Sequence, residues 1–439
     1  MMTIFSIKNG ILFDKRVARR SFTQEIAVMF KIVRFPKNLE SFFDSLESQF
    51  HWDHFQYFRT LVLLIVIAWG RRNIASLYRH LDSRNQPHRS RFNNFLNVGR
   101  WQPQAALQLK AHELLALLNP EKGDVVELIL DDSKKQKRGK KMEAVSWIHD
   151  PVSGRSIKGH QYVTAVLRFR GHVIPWGVRL YLKKEDAASL GHPFKKTTQL
   201  AADLIDEFQP PKGVQVRVLF DSYYLCPTVV KSCRTKGFRF VSTLKSNRNL
   251  YKNGRKLKVG AYGYSLFGRR RKQTFRIEKA GGTADYTYVD AGWMKVSDLG
   301  PLHVIFSRKN RDKKMLGIVT DDPKVSAGQM IRMYDERWSI EVFFKDGKQL
   351  LGLGQYQNVS AEAAVTHLHL VCFAYALLTH IAIAGEGEKA KRKSAVRLST
   401  ADLQNEARRI VWDDLADHLK TLSSGTQVVK ELGRLLIAA

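Results

Sequence analysis

Cysteine is scarce in this 439-residue chain: Cys226, Cys233 and Cys372 are the whole complement, an odd number with no C-x-x-C pair. No zinc site is visible in that pattern, and a reduced cytoplasm is the expected compartment. Long hydrophobic runs are missing as well. The stretch "LVLLIVIAWG" at 61–70 falls well short of the roughly 20 residues that cross a bilayer, so it reads as a buried core helix and no membrane partner is expected. The N-terminal "MMTIFSIKNGILFDKRVARRSF" lacks an apolar region followed by a small-residue cleavage site, so no signal peptide is read. Met29 offers a second start, which puts residues 1–28 in question as part of the native protein. Acidic residues are short too. Asp plus Glu number 41 against 72 Lys plus Arg, a net charge of +31, more than solubility needs. The excess runs from end to end rather than along one amphipathic helix or tail, which favours a long nucleic-acid ligand over an anionic membrane.

What is present belongs to a folded protein. Hydrophobic residues make up 44%, which excludes a disordered chain, and the length calls for two or three structural units. Residues 1–38 read as an extension. From 39 to 120 apolar residues recur at three- and four-residue spacing, the pattern of a helical domain, and the mixture of Arg, His, Asn and aromatics around "RRNIASLYRHLDSRNQPHRSRFNNFLNVGRW" suits DNA binding or a solvated helix surface. Residues 121–246 alternate strands ("DVVELILDD", "YVTAVLRF", "VIPWGVRLYL", "VQVRVLFD", "RFVSTLKS") with helices at 195–208 and 227–237, the signature of a mixed α/β sheet. Residues 247–320 carry Gly, Lys and Arg among short alternating runs and read as an all-β insertion. Helical pattern resumes in 321–385, where Ser326 and Gln329 have capping-box spacing and the helix runs on until Gly352 and Gly354 stop it. A linker and a last helical segment fill 386–439.

Two aspartates end strands, Asp131 after "VVELIL" and Asp221 after "VQVRVLF". Carboxylates at the carboxyl ends of neighbouring strands can converge on one crevice, though Asp is common wherever strands turn. A third acid changes the weighting. On the stretch "YDERWSIEVFFKDGKQLLGLG", at about 100° per residue, Tyr334, Arg337, Glu341 and Lys348 fall on one narrow helical face, whereas Glu336 points away. An i,i+4 ion pair between Arg337 and Glu341 on a solvated face is the ordinary explanation. It loses ground beside two strand-end aspartates in a chain so basic. Three carboxylates are hard oxygen ligands suited to Mg²⁺ or Mn²⁺, and two such ions stabilise the attacking and leaving oxygens of an in-line phosphoryl displacement. Flanking cations would grip phosphates.

The order Tyr334, Arg337, Glu341, Lys348, with two, three and six residues between them, resembles the Y-R-E-K signature of DDE transposases from bacterial insertion sequences. "LILDDS" and "VLFDSYY" resemble the family's first and second acids, and the likeness spans roughly residues 39–385. The resemblance implies an RNase H-like core, a mixed sheet flanked by helices, interrupted by the all-β insertion and preceded by the all-α domain. It implies Asp131, Asp221 and Glu341 as the catalytic, metal-binding triad, with Tyr334, Arg337 and Lys348 on DNA. It also implies cut-and-paste transposition: binding of terminal inverted repeats, strand cleavage and strand transfer, with double-stranded element ends and target DNA as partners and a homodimer on DNA. The alternatives are a nuclease of the same fold without strand transfer and a non-catalytic DNA-binding descendant. A nucleoid-associated location in bacterial cytoplasm follows.

Asp131 and Asp132 are adjacent, and a strand sends neighbours to opposite faces, so one of them enters the site. Asp131 is preferred because the acid, any residue, then Ser matches Asp131, Asp132, Ser133; Asp132 is the alternative. The run "KKQKRGKK" directly after the acids offers Lys134, Lys135, Lys137, Arg138, Lys140 and Lys141 to phosphates. "GRRRK" at 268–272 and "KAKRK" at 389–393 serve equally as solvated surface. Trp293 reads as a sheet core residue and His160 as a structural histidine.

Overall fold

The computed structural model describes residues 7–8, 11–12, 29–32, 34–82, 84, 87–139, 141–150, 154–279, 282–310, 312, 314–389 and 398–437. The extension at 1–38 lies largely outside them, as does most of "KAKRK".

Helices come first: α1 (Trp52–Ile67), α2 (Arg89–Val98) and α3 (Pro103–Leu117). Asp53 in the first turn of α1 faces the positive end of its dipole, and Pro103 takes the first position of α3, where its missing N–H costs nothing. The sheet begins with β1 (Val125–Gln136), β2 (Ser146–Asp150), β3 (Arg155–Phe169) and β4 (His172–Leu180). Helix α4 (Thr197–Asp206) leads to β5 (Gln215–Leu219), and α5 (Pro227–Thr235) crosses over to β6 (Arg239–Leu244). Strand β3 is antiparallel to both β1 and β4, while β1, β5 and β6 run parallel, giving the order β4-β3-β1-β5-β6. Val126 through Leu130 are buried without a break, as a strand covered on both faces requires. That cover loosens at Asp131, where the acids begin.

The segment 247–320 departs from the all-β expectation. Strands β7 (Asn249–Lys252) and β8 (Arg255–Lys258) are followed by a helix, α6 (Val259–Arg269). Strands β9 (Gln273–Lys279), β10 (Gly282–Val296), β11 (Gly300–Lys309) and β12 (Leu316–Thr320) complete the segment. Three glycines in "VGAYGYSLFGR" mask a helical spacing of buried Val259, Gly263, Leu266 and Phe267. Gly263 is needed there because a Cβ would lie 2.4 Å from Met315 Cε and 2.5 Å from Phe306 Cδ1. These strands are not a detached unit either. β12 pairs antiparallel with β6, so all belong to one 12-stranded sheet.

Helices α7 (Ala327–Glu336), α8 (Trp338–Gln349), α9 (Ala361–Lys389), α10 (Thr400–Lys420) and α11 (Gly425–Leu435) follow. Within α9, which contains the apolar helical stretch "THLHLVCFAYALLTHIAIAG", Ala361–Gly385 is long and apolar enough to cross a membrane, but it is mostly buried inside the fold. An all-round apolar helix is then the core helix of the molecule. One hydrophobic cluster takes in Leu61 of α1, Leu107 of α3, Val166 of β3, Ile305 of β11 and Leu378 of α9. The helices of 39–120 therefore share their core with the sheet.

Candidate active site

Asp131 lies within β1, and Asp221 lies just past the end of the adjacent parallel strand β5. The last paired residues of β1 and β5 are Ile129 and Leu219, and each aspartate lies two residues further on, on the same face as those partners. Asp221 accepts the backbone N–H of Tyr223 at 2.9 Å and of Tyr224 at 3.3 Å. Asp131 Oδ1 accepts the Asp132 N–H at 2.8 Å, and its Oδ2 accepts Arg337 Nη1 at 3.1 Å. Burial, with the nearby Asp221 charge, pushes the Asp131 carboxyl up to about 7 despite Arg337.

Asp132 points elsewhere, as alternation requires. Its oxygens accept Tyr224 OH at 3.2 Å and Gln161 Nε2 at 2.8 Å, with Lys134 Nζ 3.6 Å away.

The helix expected to run unbroken from Ser326 to Gly352 is divided at Arg337. The capping box of Ser326 and Gln329 opens α7. At its end Arg337 N donates to Tyr334 O at 3.2 Å, and Ile340 N donates to Arg337 O at 3.2 Å. Three-residue bonds replace four-residue bonds there, so a single 100° progression does not hold across the break. The side chains still gather. Arg337 Nη2 donates to Glu341 Oε1 while Nη1 holds Asp131, so one guanidinium bridges both acids. The Tyr334 ring lies 5.5 Å from Arg337 Cζ, and its hydroxyl meets Thr243 Oγ1 at 3.3 Å. Burial opposes the Arg337 charge, but Tyr334, Asp131 and Glu341 outweigh it and raise its pKa. Lys348 is lowered by burial and Lys135, against the pull of Asp150 and Asp131.

Behind this group, Arg168 Nη1 binds Glu127 Oε2 at 2.7 Å and Glu336 Oε2 at 3.0 Å. Burial and the adjacent Glu336 push Glu127 up to about 8.

The basic run after the acids is not the continuous phosphate grip the sequence suggested. Arg138 and Lys141 are exposed, and Lys140 lies outside the described residues. Lys135 packs on Gly354, and Lys137 is buried with its ammonium on the carbonyls of Gly354 and Tyr356, both at 2.9 Å. Strand parity explains the split, since 135 and 137 share the face of Asp131. His160 is structural: its ring meets Tyr356 OH at 2.5 Å and Glu143 O at 2.8 Å. Trp293 is half exposed and stacked on His303, not in the core. Two aromatics next in sequence to or near site residues were not singled out from sequence: exposed Trp338 directly after Arg337, and Tyr223, whose backbone N–H binds Asp221 and whose hydroxyl meets Thr197 Oγ1 at 2.7 Å. The adjacency of each to a site residue was the available signal.

Among the described residues no three His, Cys, Asp or Glu side chains stand as a ready metal-ligand set. The Arg337 guanidinium lies between Asp131 and Glu341. The donor chemistry nevertheless fits a hard divalent cation: carboxylate oxygens only, with the Asp131 carboxyl raised by burial and, in part, by the Asp221 charge.

A family model described as DDE superfamily endonuclease matches residues 42–290, more than half of the chain. The match takes in Asp131 and Asp221 and ends before Glu341. Comparison with curated proteins gives no match.

Proposed function

We propose that this chain, which belongs to the DDE superfamily endonucleases, is the transposase of an insertion sequence, cutting the element's ends from DNA and joining them to a target. The observation that carries the reading is the Arg337 guanidinium holding Asp131 and Glu341 together beside Asp221. It joins acids from β1 and α8, 206 and 4 residues from that arginine, into one electrostatic unit. The mixed sheet with flanking helices fits an RNase H-like DDE fold.

Asp131, Asp221 and Glu341 would hold magnesium or manganese, which supplies Lewis-acid stabilisation of the phosphoryl oxygens and a more acidic bound water. Lys348 and Arg337 oppose the charge that develops on the phosphate. Tyr334 backs Arg337 through its ring. Water attacks the phosphodiester at the element end and the 3′ oxygen leaves; that 3′ hydroxyl then attacks a target phosphate. The high positive charge supports binding of inverted terminal repeats along the basic surface, and two ends cut together call for a homodimer on DNA.

Pre-cut element ends incubated with a supercoiled target plasmid and magnesium test the reading. Ends covalently joined to plasmid are expected. Hydrolysis of the ends without any joined product would reduce the protein to a nuclease, and neither product would remove the assignment.

A further inference from the structure

Lys137 is a lysine in the wrong place for a phosphate contact. Its side chain is buried, its ammonium sits 2.9 Å from both the Gly354 and Tyr356 carbonyls, and it lies 3.2 Å from the centroid of the Tyr356 ring. Three further contacts fix the same loop. Gln355 Oε1 accepts Arg72 N at 2.9 Å, the Gly352 carbonyl meets His367 Nε2 at 3.0 Å, and Gly354, at φ +78°, lies so close to Lys135 that a Cβ would stand 2.7 Å from its Cγ. The loop is the one that follows α8.

The odd-numbered residues of β1 meet α7, α8 and this loop in order. Glu127 reaches Glu336 through Arg168, Asp131 reaches Glu341 through Arg337, Lys135 packs on Gly354, and Lys137 binds the carbonyls beyond. The ladder extends to that last residue, for Lys137 N donates to Lys158 O at 2.9 Å. The lengths agree. Six residues of strand from Asp131 to Lys137 cover about 20 Å, and the 12 residues of α8 cover about 18 Å. The helix is thus attached to the strand near both of its ends. Buried Ile340, Phe343 and Phe344 pack one face of α8 into the core; the second attachment fixes the end of the helix that carries Lys348 against the strand.

We propose that Lys137 is a positioning residue for the DNA-cutting site: its ammonium, clasped by the Gly354 and Tyr356 carbonyls, holds the C-terminal end of the glutamate helix against the Asp131 strand. The inference rests on the proposed function. It assigns Lys137 no contact with DNA, and it separates this lysine from exposed Arg138 and Lys141 in the same basic run.

Single-turnover cleavage of element-end DNA at saturating protein, beside DNA affinity from equilibrium binding, tests this. Lys137→Met keeps the stem and removes the charge; Lys137→Arg keeps the charge but lengthens the side chain, and serves if the first variant does not fold. The expected result for a folded variant is a cleavage rate reduced at least tenfold with affinity within threefold of wild type, the arginine variant falling less far. Rates within twofold of wild type in Lys137→Arg, and in Lys137→Met where it folds, overturn the proposal. Affinity lost in parallel with rate also overturns it, because Lys137 would then be a phosphate contact. Absence of cleavage by wild type strikes at the proposed function instead.

Discussion

Replacing Asp131 by Asn removes a carboxylate that the fold holds beside Asp221 at its own expense. The carboxyl is pushed from its ordinary 3.8 up to about 7, by burial first and Asp221 in part. Because the folded state holds this proton more tightly than the unfolded chain, the group's stabilising contribution is fully present below about pH 4 and lost as the pH rises through about 7. That interval corresponds to on the order of 4 kcal/mol. For a chain of this length the unfolding entropy converts it to about 4 °C in melting temperature. In EDTA at pH 8, Asp131→Asn should therefore melt above wild type by that amount, and the gap should close by pH 4. Glu127, raised in the same direction, titrates in both proteins and drops out of the difference. Thermal melts followed by circular dichroism across this range provide the assay. A variant that melts at or below wild type at pH 8, or one whose advantage does not change with pH, would refute the electrostatic account of the site.

Three further changes probe its surroundings. Arg337→Met strips two carboxylates of their shared cation and should cost about 3 kcal/mol in EDTA, while magnesium raises its melting temperature more than that of wild type; equal magnesium responses would contradict the bridging role. Glu127→Gln should be close to neutral at pH 5 and stabilising at pH 9, since burial and Glu336 hold the native carboxyl at about 8 and its favourable protonation is lost as the pH rises past that value; equal shifts in melting at both pH values would refute it. Gly263→Ala would improve helix propensity by up to about 1 kcal/mol on an open surface. Here its Cβ would meet Met315 and Phe306, so a net loss of about 1–3 kcal/mol is expected in chemical denaturation, and a gain would show that α6 packs elsewhere.

The strands leading to the first two acids were legible because an apolar run precedes each, and period-two alternation separates Asp131 from Asp132; that Asp131 ends its strand was not borne out, since β1 runs on to Gln136, while β5 ends at Leu219, two residues before Asp221. The gathering of Tyr334, Arg337, Glu341 and Lys348 was legible from spacing, but the break at Arg337 was not, since nothing in its residue type stops a helix. The burial of Lys137 could have been suspected from parity with Asp131; its partners could not, because backbone carbonyls leave no mark in sequence. Helix α6 was hidden by its glycines, which lower helix propensity yet allow the close approach of Phe306 and Met315. The union of the helical region with the sheet is a long-range fact. Residues as distant as Val66 and Gln404, joined by a 2.7 Å hydrogen bond, show no relation along the chain.

The most direct test is the cutting of end-containing DNA in magnesium by wild type and by Glu341→Gln, with binding of the same DNA measured alongside. The account predicts strand breaks with free 3′ hydroxyls from wild type, and none from the variant although it still binds. Undiminished cutting by Glu341→Gln would contradict it.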